Sequence, residues 1–156
     1  MDIRVYGSSA GNLGGSPTAE IPDNSLHLLF PPLSQSDLAS GKSEYRCVFL
    51  KNVSNDKTYF RVTVEVIQPP DGQRNPVEKI YIGVDPQKGS SIQQIPNSST
   101  APSGVTFFLN VPVEIGMLGP NEVQGIWLKR EVPPNTPVGG FVKVTLKISG
   151  YSLKSS

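Results

Sequence analysis

The 156 residues fit one domain, or one domain with an arm, and 14 basic against 13 acidic side chains leave a formal net charge of +1. This balance excludes the strong positive field with which proteins attract nucleic acid or anionic membranes, and no apolar run is long enough to span a bilayer. Gly and Pro together make up about a fifth of the chain, which is typical of a β protein with many turns.

The first 40 residues differ in pattern from the rest of the chain. A short strand is predicted over Ile3–Tyr6, and the Gly- and Ser-rich residues 7–16 that follow are typical of a loop or flexible arm. The apolar residues of Ile21–Asp37 fit neither strand alternation nor helix spacing. We therefore assign residues 1–40 to an N-terminal strand and an extended arm that becomes ordered against a partner. The side chains predicted to form this interface are Leu26, Leu28, Leu29, Phe30 and Leu33.

From Gly41 onwards the pattern becomes regular. Two mostly apolar faces predict a strand over Tyr45–Leu50 that is buried on both sides. Residues 59–66 alternate, and the alternation predicts that Phe60 and the three valines after it face inward. Further strands are predicted over Ile80–Val84, Ile92–Ile95, Val105–Leu109, Val123–Arg130 and Phe141–Tyr151. No window shows helical spacing with caps.

These seven or eight short strands predict an all-β fold, with an antiparallel β-sandwich over residues 41–156. The proline turn Val132–Val138 and the strand that follows it resemble the ending of bacterial and viral immunoglobulin-like domains. The resemblance implies an immunoglobulin-like or jelly-roll-type sandwich with an irregular N-terminal arm. Cys47 is the only cysteine, so the disulfide of antibody domains is absent.

Few residues suggest chemistry. His27 is the only histidine, and it lies in an apolar stretch without a Gly-x-Ser-x-Gly motif elsewhere. Cys47 lies in the middle of a predicted strand, where a free cysteine acts as a small core hydrophobe. Ser40–Ser43 resembles the end of a P-loop, but Ser36 replaces the opening glycine. We predict no catalytic residues and no enzyme activity.

The sequence evidence for a metal site and for an attached glycan is equally weak. No Cys/His spacing suits zinc, and Asp71, Glu78 and Asp85 lack the pattern of a calcium loop. The prediction is therefore no metal and no cofactor. Asn52 and Asn97 match the glycosylation pattern, but Met1–Tyr6 does not resemble a signal peptide, so we expect synthesis without export and interpret both matches as chance.

Several segments resemble a group of tailed-bacteriophage proteins. In that group, a Gly-rich loop precedes a Glu-Tyr-Arg-Cys strand, here Glu44–Cys47, and a later Trp-Leu-Lys-Arg strand, here Trp127–Arg130, is closed by Val-Pro. Members of the group are virion structural proteins. The matching segments are Ile21–Phe30, Gly41–Asn52, Ala101–Phe107 and Gly125–Pro134.

The resemblance implies a non-enzymatic virion structural protein that is assembled in the bacterial cytoplasm. The leading hypothesis is a capsid decoration or cement protein that binds the major capsid protein through its arm and one sheet face. A tail, collar or baseplate component is the alternative. A homo-oligomer such as a trimer is expected in either case, without nucleic acid or membrane as a partner. The arm assignment also predicts that deletion of residues 1–38 leaves a folded sandwich.

A carbohydrate-binding module that recognises the host surface is the competing class of function. Such a module stacks sugar rings on aromatic side chains that share an exposed face. Tyr59, Tyr81 and Trp127 are the candidates for that face.

Overall fold

The computed structural model describes residues 1–22, 29–30, 32–67, 79–136 and 145–154. Eight strands and two short helices follow one another within these residues, and every pair of adjacent strands is antiparallel. Their bounds are β1 (Ile3–Ser8), α1 (Ser9–Asn12), β2 (Pro17–Glu20), α2 (Gln35–Ser40), β3 (Lys42–Asn52), β4 (Lys57–Ile67), β5 (Lys79–Val84), β6 (Val113–Leu118), β7 (Val123–Val132) and β8 (Thr145–Lys154).

The strands form two sheets that pack as a sandwich, as the sequence predicted. The five-stranded sheet has the order β2-β1-β3-β7-β5 and the three-stranded sheet has the order β6-β4-β8. Apolar side chains from both sheets meet in one core between them. Its buried members from the two sheets are Ile3, Val48, Leu50, Tyr59, Val62, Val64, Val66, Ile80, Ile82, Leu118, Ile126 and Leu128.

The opposite face of the five-stranded sheet carries a second core. Ile92 and Ile95, from the long connection between β5 and β6, cover Trp127 and its neighbours. The close approach favours glycine at position 125, because a Cβ there would lie 2.5 Å from Cδ1 of Ile92 and would force the end of that side chain to move. The prediction that Tyr45–Leu50 is buried on both sides is therefore confirmed.

A buried carboxylate holds this connection against the sheet. Oδ1 of Asp85 accepts hydrogen bonds from Nε1 of Trp127 at 2.9 Å and from Nε2 of Gln93 at 2.8 Å. Oδ2 accepts from the backbone N–H of Gln87 at 2.9 Å. Asp85, considered in the sequence as a calcium ligand, therefore anchors a loop by pairing the indole N–H of a buried tryptophan.

The N-terminal residues are part of the sheet. β1 pairs with β3, from Ile3 opposite Asn52 to Tyr6 opposite Phe49, and β2 pairs with the other edge of β1. The intervening turn is fixed by the Ser8 hydroxyl, which donates to the carbonyl of Cys47 at 2.7 Å and accepts from the N–H of Gly14 at 3.0 Å. This corrects the arm assignment for residues 7–20, because glycines there make a tight reversal instead of a flexible tether.

Several local elements differ from the sequence prediction, among them Ile92–Ile95, which forms no strand and only an isolated bridge at Gln94. α2 was not predicted, although Ser34 and Asp37 form a capping box at its start. β6 was missed because Gly116, at φ +85, interrupts its alternation. The predicted strand Val105–Leu109 is reduced to a single bridge between Phe108 and Ile82, because the loop crosses the edge of β5 without following it.

Candidate interaction surface

The face that β4 presents changes at Arg61. This residue has φ +49, and the pairing of β4 with β8 shifts between Phe60 and Thr63. An extra residue of this kind is a β-bulge, and it reverses the alternation of side chains along the strand. The valines after the bulge point into the core as predicted, but before it Tyr59 points inward and Phe60 points outward. The prediction that Phe60 faces the core is therefore wrong.

The bulge creates an apolar patch on the outer face of the three-stranded sheet. The ring of Phe60 stacks on that of Tyr151, with centroids 5.9 Å apart and an interplanar angle of 25°. Met117 lies on β6 opposite the bulge, and Leu153 follows Tyr151 on the same face of β8. Met117, Tyr151 and Leu153 are 50%, 55% and 62% exposed. We call Phe60, Met117, Tyr151 and Leu153 the outer patch.

Next to the outer patch this face is polar, and Ile67, which is exposed at the other end, is a separate apolar side chain. Glu65 lies opposite Lys147, and Thr63 lies between Ser149 on β8 and Glu114 on β6. The clustered apolar side chains therefore lie at one end of the sheet, and Glu65 and Lys147 separate them from Ile67 at the other end. A bounded apolar cluster on a soluble domain is typical of a surface that another protein covers.

The outer patch rests on a rigid base. Directly behind it, Tyr59 and Leu118 face each other across β4 and β6 and are buried in the sandwich core. The Tyr59 hydroxyl accepts a hydrogen bond from the backbone N–H of Asp2 at 2.8 Å. Asp2 also pairs with Lys57, with Oδ2 and Nζ 3.1 Å apart, so β1 is tied to the start of β4.

The structure does not expose the predicted interface as a group. Leu29 is 7% exposed and belongs to the sandwich core. Phe30 and Leu33 are half-buried, and Phe30 packs against the same core. Leu26 and Leu28 lie outside the described residues. Leu29 is thus unavailable to a partner, because the core of its own sandwich already covers it.

Phe30 instead covers a buried charge network. Arg130 donates to Oε2 of Glu44 through Nε at 3.0 Å and through Nη2. Oε1 of Glu44 lies 3.3 Å from Nζ of Lys42 and 3.8 Å from Nη2 of Arg46. The ring centroid of Phe30 is 5.0 Å from Cζ of Arg130 and 5.5 Å from Cζ of Arg46. Burial lowers the pKa of Arg46, a shift that the nearby carboxylate opposes.

The aromatic platform required for sugar binding is not formed. Tyr59 and Trp127 are 4% and 0% exposed and lie in different cores, on opposite faces of the five-stranded sheet. Tyr81 is half-buried, with Nζ of Lys129 5.3 Å from its ring centroid. Burial on opposite faces removes the shared surface on which the carbohydrate hypothesis depends.

The described residues that the sequence suggested for catalysis or phosphate binding have structural roles instead. Cys47 is fully buried, and burial raises the pKa of its thiol to about 12. Lys42 opens a strand and not a helix, so no phosphate-binding turn forms there. His27, Asp71 and Glu78 lie outside the described residues. The described part of the chain contains no group of three metal-binding side chains.

The two glycosylation motifs differ in access. Asn52 is 0% exposed, and its Nδ2 donates to the carbonyls of Lys57, Leu118 and Gly119 at 2.8, 3.0 and 3.0 Å. Attachment of a glycan to that nitrogen is incompatible with these bonds. Asn97 is exposed in the loop before β6.

A shallow groove of about 420 Å³ lies beside β1 and the end of β3. Its walls include Tyr6, Lys51 and Glu122, with Nζ of Lys51 5.6 Å from the Tyr6 ring centroid. Glu122 is already engaged, because its carboxylate accepts from the backbone N–H of Gly119. The groove is lined by residues of the five-stranded sheet and its loops, whereas the outer patch lies on the three-stranded sheet.

Sequence reasoning missed most of the outer patch. Met117 was overlooked together with β6. Tyr151 and Leu153 carried a readable signal, since they alternate with polar residues at the end of the last strand.

Comparisons with known proteins add no relative to this description. No protein-family model matches the chain, and no curated protein shows a significant sequence match to it. In the described part of the chain, no helix has the length and apolar character needed to cross a membrane.

Proposed function

We propose that the chain is a non-enzymatic structural protein of a bacteriophage virion, and that it attaches to a neighbouring virion protein through the outer patch. The observation that carries this proposal is the group of four outward apolar side chains on one end of the three-stranded sheet. Burying such side chains against a partner contributes about 25 cal/mol for each Å² removed from water.

The rigidity of the surface supports an attachment role. Three strands carry the outer patch, and its base is the packed core around Tyr59 and Leu118. A surface that is ordered before binding loses little conformational entropy when a partner covers it. This favours stable attachment, as a particle component requires.

The placement in the virion follows from the sequence resemblance. The leading assignment is a capsid decoration or cement protein on the major capsid protein, and a tail, collar or baseplate component is the alternative. The outer patch supplies the sheet face of this assignment, and of the predicted N-terminal interface Leu29 belongs to the sandwich core.

Copy number and attachment test the proposal together. We expect the chain in purified particles of the phage that encodes it, at a number comparable to the capsid subunit by quantitative mass spectrometry. Copies in small multiples of three or six would select the tail, collar or baseplate placement. Complete absence of the chain from the particles would refute the proposal.

A charge placed in the outer patch should prevent attachment. Met117→Lys puts an ammonium group on the β6 side of the patch, next to Phe60, and a partner would have to bury it unpaired. We expect at least about a tenfold loss of binding to particles that lack the chain, equivalent to about 1.4 kcal/mol. Thr63→Lys, on the polar half of the same face, is the matched control and should bind normally. Equal binding by the two variants would exclude this face as the attachment site.

A further inference from the structure

Four of the described strands lie at sheet edges, and three of those edges are protected. An open edge offers unpaired N–H and C=O groups to any other strand, so soluble proteins shorten, cover or charge it. β2 has four residues and begins with Pro17. The edge of β5 is crossed by the loop at Phe108, which exchanges two hydrogen bonds with Ile82 at 3.0 and 2.8 Å. On β6, the carbonyl of Met117 accepts from Nζ of Lys88.

In the described part of the chain, no loop or further strand pairs with the fourth edge, β8. It has ten residues and pairs on one side only, with β4, among the described strands. Residues Gly150, Tyr151, Ser152 and Leu153 are all exposed. The strand contains no proline and no acidic residue, and Lys147 lies opposite Glu65 on the neighbouring strand. The exposed segment Gly150–Leu153 lies between the two lysines of the strand and carries no charge itself. An exposed, uncharged segment of an edge strand is a template for strand addition.

We propose that a second copy of the chain adds to this edge, with its own β8 antiparallel and a two-fold axis at Ser152. The inference rests on the proposed function in one respect, which is that a virion structural protein is expected to associate with further copies of itself. A two-fold axis lets the same strand serve as both donor and acceptor of the edge hydrogen bonds, which closes the assembly at two copies.

The side chains of β8 select this register. An axis at Ser152 places Tyr151 opposite Leu153 of the second copy, and Gly150 opposite its Lys154. Each exposed apolar side chain then meets another, and no like charges are opposed. An axis at Gly150 would instead place Lys147 against Leu153. The Ser152 register also joins the two outer patches into one continuous apolar surface across six strands.

The first test measures association of the purified chain without particles, by sedimentation equilibrium. We expect a monomer–dimer equilibrium. Ser152→Lys places two ammonium groups opposite each other at the axis and should weaken the dimer at least about tenfold. Ser149→Lys lies on the same strand away from the axis and should change the dissociation constant by less than about threefold. Near-UV circular dichroism confirms that both variants remain folded.

The second test traps the register. Ser152→Cys should form a disulfide-linked dimer under mild oxidation, because symmetry places the two new thiols opposite each other. Ser149→Cys, the matched control, should not. Cys47 does not compete, since it is fully buried. Equal cross-linking by both variants would overturn the register.

If the wild-type chain stays monomeric at about 0.5 mM, the dimer proposal is refuted, because the dissociation constant of any dimer would then be above about 1 mM. If such a monomeric chain bound particles and Ser152→Lys abolished that binding, the edge would belong to a different virion protein, and the second copy would be excluded. Met117→Lys separates the two proposals, because it should weaken particle attachment and leave the dimer intact.

Discussion

Glu44 illustrates how single charged residues are accommodated in this fold. Its carboxylate is 1% exposed and lies on β3 directly opposite Arg130 on β7. Removing two charges from water is costly, and their attraction offsets that cost only when both partners are present. Phe30, above the guanidinium groups, excludes water from the pair. The network therefore fixes the register of the two central strands and the position of the segment that carries Phe30.

Glu44→Gln should destabilise the protein by about 3–5 kcal/mol, because the buried guanidinium of Arg130 loses the charge of the carboxylate that lies opposite it. Denaturant unfolding followed by tryptophan fluorescence measures this change in the free energy of unfolding. Glu131→Gln is the matched control, since the Glu131 side chain is 40% exposed in its pair with Lys129. The control should cost less than about 1 kcal/mol. Equal losses of unfolding free energy in the two variants would mean that the buried pair stabilises the protein no more than the exposed pair does.

Asp2 should make the free energy of unfolding decrease at acidic pH. The hydrogen bond and charge of Lys57 lower the pKa of the Asp2 carboxyl in the folded protein. A lowered folded pKa contributes stability above the unfolded value of about 3.9, and this contribution is lost as pH falls through the folded pKa. Asp2→Asn should therefore flatten the dependence of the melting temperature on pH below about 4. An unchanged slope would show that this surface pair is not coupled to folding.

At the scale of elements, the connection between β5 and β6 acts as a lid on the second core. Its sequence is polar and turn-rich, yet Ile92 and Ile95 are buried against β3 and β7. The Asp85 carboxylate fixes its start by pairing Trp127 and Gln93. Two isoleucines and one carboxylate thus convert a loop into a structural layer.

Trp127→Phe should loosen this lid. The substitution keeps an aromatic ring but removes one of the three N–H groups that donate to the buried Asp85 carboxylate, at a cost of about 1–3 kcal/mol. Hydrogen exchange should accelerate in the connection between β5 and β6. Tyr81→Phe, which removes a hydroxyl without a hydrogen bond in the described residues, should leave exchange there unchanged. Equal protection in both variants would contradict an anchoring role for Asp85.

At the scale of the whole molecule, the N-terminal strands complete the larger sheet. β1 covers the edge of the eleven-residue strand β3 and contributes Ile3 to the core. Its loss would expose an open edge beside an apolar core. The division of the chain at residue 40 stays a prediction, but residues 1–22 pack as part of the sandwich.

Deletion of residues 1–22 should therefore lower the melting temperature and cause aggregation, in contrast to the sequence expectation for the longer deletion of residues 1–38. Circular dichroism and size-exclusion chromatography measure both effects. Deletion of Met1 alone is the control, since this residue is 52% exposed and should unfold like the full chain. A monomeric product with an unchanged melting temperature would restore the interpretation of this segment as a detachable arm.

The all-β class, the doubly buried strand at Tyr45–Leu50 and the inward valines of β4 could be predicted from the sequence, because alternation along a strand is a local pattern. The outward turn of Phe60 could not. It depends on the bulge at Arg61, and a bulge exists only where a strand is paired against neighbours of a particular register. The burial of Leu29 and the charge network around Glu44 likewise join residues that are far apart in the chain. The sequence thus determined which strands form, whereas tertiary packing decided which side chains remain on the surface for a partner.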